Sequence, residues 1–353
     1  MFQALVCDGV TGKMLDRVQV ADFTWEQLIS AGGSGSVTLP LDGTYSRSQL
    51  RTLAEPWSRI WALAYGERVL YMGYVVGRTY NRESNNLTVQ LTDLWALLDR
   101  RGAWDHSAPD VSKWRRTVSG SLAAQAAAAI RRGRDVGPPL PAMGLPLTIP
   151  TFGGTSVTRT YYGYNVEMVG EVLSNLMDEG LDIAFEPRFI GNGDTDWLME
   201  AGPNWGSGRV HELMVTAPHT VVTAFSEVAD GARLTNNARR IGEGSEEDMV
   251  IRSNRNTASP YPLLDRSTAV KQINDPSQLS AQVNNDLKLY GYPTFQWDFT
   301  THLDEGIRIG DTVRLHFDGD PWIADGWHER RVVKLSGAIS PFVTVGLQPT
   351  GGG

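Results

Sequence analysis

The stretch Tyr65-Gly-Glu-Arg-Val-Leu-Tyr-Met-Gly-Tyr74 has a partial copy far along the same chain, Asp318-Gly-Asp-Pro-Trp-Ile-Ala-Asp-Gly-Trp327. In each, a turn glycine is followed by a second glycine and then an aromatic: Gly66, Gly73, Tyr74 and Gly319, Gly326, Trp327. A chain that writes the same glycine-turn hairpin near both ends is constrained to antiparallel β structure at both. Laid on each other without gaps, residues 58–77 and 311–330 set Ile60, Ala62 and Ala64 opposite Val313, Leu315 and Phe317, an apolar face in both copies. Each block leads to a strand of the same pattern, Leu87-Thr-Val-Gln-Leu91 and Val343-Thr-Val-Gly-Leu347, through loops of unequal length. Glycine-turn hairpins recur in β proteins, so chance is the competing explanation; the alternative is two related β-barrel domains, one at each end of the chain.

The second strand faces differ. Trp57, Arg59, Trp61, Leu63 and Tyr65 occupy that face in the first copy, whereas Thr312, Arg314, His316 and Asp318 occupy it in the second. Large aromatics on both faces of a strand require cover on both. Trp57, Trp61 and Leu63 are therefore the candidate outer packing face of the first barrel. The cover is another domain or subunit, or this chain's own helices between 93 and 133.

The 353-residue chain is long enough for two or more domains. No run of 18 apolar residues occurs, so no membrane segment is expected. Met1-Phe-Gln-Ala-Leu lacks the basic-then-apolar order of a secretory signal, which points to synthesis and assembly in cytoplasm. Cys7 is the one cysteine, excluding an internal disulfide and any multi-cysteine metal site. A formal charge of -8 argues against coating nucleic acid by neutralising phosphates.

Along the chain, residues 1–91 alternate as strands, and helical patterns follow between 93 and 133. Five prolines between 138 and 150 then exclude helix and central strand. We expect an extended arm over 133–160, running along a neighbour. An amphipathic helix is expected over 165–179, with Val166, Val169, Leu173 and Leu176 on its stripe. A second has Asp275 as N-cap, Pro276 at N1, Gln278 at N3 and the stripe Leu279, Val283, Leu287. The expected class is mainly β (α+β): two related antiparallel β-barrel domains at the chain ends with inserted α+β domains between them. The divisions are 1–100 for the first barrel; 101–215 for an inserted α+β domain carrying the Pro-rich arm; 216–252 with 291–353 for the second barrel; and 253–290 for a small helical insertion. The closing Gly-Gly-Gly is expected to be disordered.

Catalytic patterns do not emerge. His328-Glu329 has no second histidine at metalloprotease spacing. Asn192, Asp194 and Asp196 imitate the start of a calcium loop, but Trp197 stands where its glycine belongs and Pro203 where its closing glutamate belongs. Gly12-Lys13 lacks the upstream glycine of a phosphate loop. The six histidines are scattered singly, and no cofactor or metal is expected. Carboxylate pairs stay open, since 40 acidic residues offer many and only the fold says which converge.

Several segments together resemble a family. The run Phe295 to His302, then Gly306-Ile-Arg-Ile-Gly-Asp311-Thr-Val-Arg-Leu315 and a final Val-Thr-Val strand, is similar to the end of hub-type minor tail proteins of long-tailed actinobacteriophages. Asp230-Gly-Ala-Arg-Leu-Thr-Asn-Asn237 with Arg240-Ile-Gly-Glu-Gly244, Ser36-Val-Thr-Leu-Pro-Leu41 and Asp93-Leu-Trp-Ala-Leu-Leu-Asp-Arg100 also resemble that family. The resemblance implies a virion protein of the tail tip, without enzymatic activity, carrying two barrels per subunit like the central hub of contractile-phage baseplates. It implies a homotrimer whose six barrels match a six-fold tail tube above to a three-fold tip below, with other tail proteins as partners and a channel for DNA ejection. DNA would pass without specific binding, so the channel-facing positions are expected to be polar or acidic, with Asp311, Asp318 and Asp320 as candidates and Arg239 and Arg240 at subunit or domain contacts. The alternatives are a tail-associated cell-wall hydrolase and, given the eleven tryptophans, a glycan- or receptor-binding β module.

Overall fold

A computed structural model describes residues 1–106, 108–135, 144–270 and 273–349. The centre of the expected Pro-rich arm and the terminal glycines lie outside the described residues. The first part of the chain forms β1 (Phe2–Asp8), β2 (Met14–Val18), β3 (Asp22–Leu28), β4 (Ser34–Pro40), helix α1 (Arg47–Leu53), β5 (Arg59–Tyr65), β6 (Arg68–Asn81) and β7 (Asn86–Thr92). The middle forms α2 (Trp95–Leu98), β8 (Arg115–Gly120), α3 (Leu122–Asp135), β9 (Leu147–Thr148), β10 (Val157–Tyr162), α4 (Val169–Met177), β11 (Leu181–Gly191) and β12 (Asp194–Pro203). The last part forms β13 (Val210–Met214), β14 (Thr223–Asp230), β15 (Asn237–Ile241), β16 (Ile251–Arg255), β17 (Asp265–Ala269), α5 (Pro276–Tyr290), β18 (Thr294–His302), β19 (Thr312–Phe317), β20 (Gly326–Gly337) and β21 (Phe342–Pro349).

The molecule is mainly β, with largely antiparallel sheets, and none closes into a barrel. Two units can nevertheless be traced through the sheet that contains both chain ends. In the first, the spatial order is β5-β6-β7-β4-β3; in the second it is β19-β20-β21-β18-β14. Taken in sequence order these are the same five-strand topology. The units differ at one flank, where β1 lies antiparallel to β5 but β13 lies parallel to β19.

The register between the units follows from a shared irregularity. β6 bulges between Val75 and Gly77 against β7, and β20 bulges between Val332 and Lys334 against β21. Val75 faces Leu91 and Val332 faces Leu347, so the bulges coincide when Leu87–Leu91 is laid on Val343–Leu347. Carried across the hairpins, Trp61 opposite Gly73 then matches Val313 opposite Arg330, and Leu63 matches Leu315. The gapless sequence alignment is therefore out by one residue on the first strand. The hairpin lengths explain it: β5 and β6 join through Gly66 and Glu67, whereas β19 and β20 are separated by the loop 318–325. Because side chains alternate, a one-residue slip exchanges the faces.

That exchange corrects the expected packing. Trp61 and Leu63 do not face outward but enter a core cluster with Phe23, Val37, Phe299, Val313, Leu315 and Phe317. The Trp61 Nε1 donates to the Leu53 carbonyl at the end of α1, 3.0 Å away. Ile60 and Ala62 take the other face, buried beneath Leu98, Ala126, Ile130, Leu173 and Trp197 of the middle domain. The first unit is thus covered on both faces by its own chain. Trp57, at φ 58°, packs at the margin of this second cluster, with the Arg100 guanidinium 4.9 Å from its ring centroid. Tyr74 stacks on Trp197 at 5.6 Å, and its hydroxyl donates to the Gly9 carbonyl.

The described part of the Pro-rich arm also packs on its own chain. Leu145 and Leu147 are buried in the second cluster, and β9 pairs parallel with β12. Arg134 donates to the Leu147 carbonyl, and Arg131 to those of Ile149 and Pro150. Basic side chains in the last turns of α3 thus satisfy carbonyls that proline-rich backbone cannot place in a sheet. The helix expected over 165–179 is shorter, because Val166 adopts φ 51° and breaks the first turn; Glu171 then reaches back to the Met168 N–H. α5 begins as its sequence indicates, with Asp275 accepting from the Ser277 N–H and Pro276 at the first position. It packs on the small sheet β16-β15-β17, so 237–241 lies with the insertion and apart from the second unit.

Candidate assembly interface

The two units meet where β3 pairs antiparallel with β20, Trp25 opposite Gly337 and Leu28 opposite Lys334. One further bond, from the Ile29 N–H to the Val333 carbonyl at 3.0 Å, extends the seam. β20 can accept β3 because β19 covers only its first half, leaving the edge beyond Arg331 open. The Trp25 ring lies over Gly337, where a Cβ would sit 3.4 Å from it. A Lys334–Glu26 ion pair at 2.5 Å closes the other face. The main-chain ladder supplies affinity, and these contacts set the register.

A buried polar knot lies beside the seam. Asp311 is fully buried. Its Oδ1 accepts from Ser207 Oγ and from Arg209 Nε at 3.0 Å; its Oδ2 lies 2.8 Å from His211 Nε2 and accepts from the Arg308 N–H at 2.8 Å. Four partners on one carboxylate fix β13 and the 303–311 turn against β19. Arg308 continues to Glu186 and Arg331 to Asp182, tying the second unit to β11. Asp311 is therefore no channel-facing residue: its carboxylate is consumed within the protomer. Asp318 is exposed, whereas Asp320 accepts the Trp322 and Ile323 N–H groups and shapes the 318–325 loop.

Of the four turn glycines, Gly66 (φ 61°) occupies the tight turn and Gly319 (φ 67°) the longer loop, both in the left-handed region. Gly326 (φ 114°) opens β20. Gly73 serves packing: it lies mid-strand, where a Cβ would come within 2.6 Å of the Tyr71 hydroxyl.

The remaining chemistry is sparse. Among the described residues, no group of three or more His, Cys, Asp or Glu could hold a metal ion. Asn192 and Gly193 make the β11–β12 hairpin turn, Asp194 accepts from the Met14 N–H, and Asp196 binds Arg188. The fold does gather Glu167 and Glu179 at one cleft of about 80 Å³. That is smaller than the several hundred Å³ a small-molecule site usually offers. Glu179 is engaged by Arg159. Burial pushes Glu167 up to about 7, helped by the nearby Glu171. Burial likewise raises Asp93 to about 7, against the pull of the Gly33 and Trp95 N–H groups that it accepts. Asp93 thereby clamps the start of β4 to the exit of β7. No helix among the described residues is long and apolar enough to cross a membrane.

No family model matches the chain, and no curated protein matches it. Solved structures do. The 43 kDa tail protein of prophage MuSo2 from Shewanella oneidensis is 9% identical, with 99% of each chain covered and a TM-score of 0.62. A tail protein from Neisseria meningitidis MC58 is 12% identical over 99% of this chain and 96% of that one, at 0.56. The chain has a bacteriophage tail-protein fold. A third match carrying the fold is an E. coli component of the type VI secretion system, described as structurally similar to the T4 bacteriophage tail proteins gp27 and gp5. It is 12% identical over 94% of this chain and 74% of that one, at 0.51. The tail-protein fold thus extends over nearly the whole chain. Sequence reasoning placed Asp311 inside a quoted motif but missed Ser207, Arg209 and His211, which lie about a hundred positions upstream.

Proposed function

We propose that this chain is a structural tail-tip hub: three copies form a ring that joins the six-fold tail tube to the three-fold tip and surrounds a channel for DNA ejection. The observation that carries this reading is the pair of five-strand units with one strand order, already joined edge to edge within the chain. A trimer of such chains offers six equivalent units to the tube and three copies of everything else to the tip. The units are 1–100 and the β13, β14 and β18–β21 strands; the middle domain and the β15–β17 insertion stand outside the ring. The protein acts without catalysis, in the virion, after assembly with other tail proteins in host cytoplasm.

The axis is lined by polar and acidic positions, with exposed Asp318 as a candidate, so that phosphates are not captured. Averaged electron micrographs of the purified particle should show a ring with an open axis that does not retain duplex DNA at low salt. A solid particle, or tight retention that weakens steeply as salt rises, would overturn the conduit.

A further inference from the structure

The seam between the two units has an unused counterpart. Through the coincident bulges, Val76 corresponds to Val333, Gly77 to Lys334, Arg78 to Leu335, Thr79 to Ser336 and Tyr80 to Gly337. β5 covers β6 only as far as Tyr74, so beyond the bulge β6 is paired by β7 alone. This open stretch occupies the place where β20 receives β3.

On the other side, β14 corresponds to β3: Trp25 pairs Gly35, Glu227 pairs Trp297, and Gly35 and Trp297 face the equivalent residues Leu91 and Leu347. Glu26 then matches Val228, Gln27 matches Ala229 and Leu28 matches Asp230. β14 ends its sheet, pairing β18 and no other described strand.

Each chain therefore presents one strand edge of the docking kind and one of the receiving kind. The free edges carry bare apolar side chains, and one of them has a covered counterpart beside the seam. Val333 is 7% exposed and its counterpart Val76 38%; Tyr80 is 59% exposed and Val228 52%. Open edges with apolar side chains are what protein chains normally shield.

We infer that β14 of one subunit pairs antiparallel with the Gly77–Tyr80 stretch of β6 in the next subunit, repeating between chains the register that β3 and β20 use within one. Val228 then lies opposite Thr79, Ala229 opposite Arg78 and Glu227 opposite Tyr80. Charge supports the register. In the seam, Lys334 reaches diagonally to Glu26, two residues before its opposite number Leu28. Between chains, Arg78, which within its own chain bonds the Arg51 and Ala54 carbonyls and pairs with Glu55, stands in the same diagonal relation to Glu227, which within its own chain accepts from the Trp297 and Trp322 ring N–H groups. The contact is head to tail, so it continues until the ring closes. The inference rests on the proposed ring and adds the strands that close it.

The Ile29-to-Val333 bond sets which pairs exchange hydrogen bonds, and by alternation the Glu26–Ser336 position is non-hydrogen-bonded. Its counterpart, Val228 with Thr79, has the close Cα spacing that a disulfide tolerates. Cys7 is buried, so introduced thiols report alone.

Mixing Val228→Cys protein with Thr79→Cys protein under mild oxidation should give chains linked in pairs, and the double variant should give linked species up to three chains, all reversed by reductant. Val228→Cys mixed with Tyr80→Cys, which points to the opposite face, should stay unlinked. A three-chain particle without the Val228–Thr79 link, or with the Tyr80 link instead, would overturn the strand register and leave the ring standing. A wild-type protein that is a single chain in solution would overturn both.

Discussion

Replacing Arg240 with alanine is expected to destabilise the protein by about 3–5 kcal/mol, the usual cost of leaving one member of a buried ion pair alone. Arg240 is only 2% exposed. Its Nε and Nη2 each donate to Asp286 on α5 at 2.8 Å, and its Nη1 donates to Asp178, just after α4, at 2.9 Å. One guanidinium thus fastens the small sheet, its helix and the middle domain together. In Arg240→Ala the Asp286 carboxylate stays buried one turn from Gln282, itself buried without a hydrogen-bond partner among the described residues. Denaturant unfolding measures the loss. An Arg240→Met, Asp286→Leu double variant should recover most of it, because the isolated charge, and not the missing contact, carries the penalty. A double variant as unstable as Arg240→Ala would contradict that explanation.

Asp311→Ala should have an effect of similar kind in the second unit, about 3 kcal/mol or more, since Arg209, His211, Ser207 and the Arg308 N–H lose their common acceptor. The damage should be local. β13 is held to β19 by a parallel ladder at the flank of the sheet, and Asp311 lies at the start of β19 with partners on the approach to β13. Hydrogen exchange should accelerate across 207–214 and change little in β5–β7. Uniform acceleration, or none, would show that the knot does not organise this flank.

How far the fold was legible depended on whether its determinants were local. The start of α5 was readable because an N-cap aspartate, a proline and an apolar stripe act within a few residues. The match of Leu87–Leu91 to Val343–Leu347 was readable because alternating strands carry their own register. The faces of β5 were not, because bulges and hairpin length shift a strand by one without changing its composition. Gly73 misled for the same reason: a glycine required by the Tyr71 ring looks in sequence like a glycine required by a turn. Two barrels were expected from the repeated hairpin and the family resemblance, yet β3 pairs β4 in its own unit and β20 in the other, so the two units share one open sheet. Arg240 and Asp286 are 46 positions apart, and a polar residue on the buried stripe of a helix is indistinguishable in sequence from one on its wet face.

The candidate interface was the least legible feature. A free edge is defined by the strand that is missing beside it, which is a property of the whole sheet. The cover over the tryptophan-rich face of β5 comes from the chain's own core, and among the described strands β6 and β14 keep open edges.

The central claim is that one chain contributes two of the six units of a closed ring. The solution mass of the purified wild-type protein, measured by light scattering across a dilution series, tests it most directly. The account predicts a stable species at three times the 38.8 kDa chain mass. A single-chain mass that persists at the highest concentrations would contradict it.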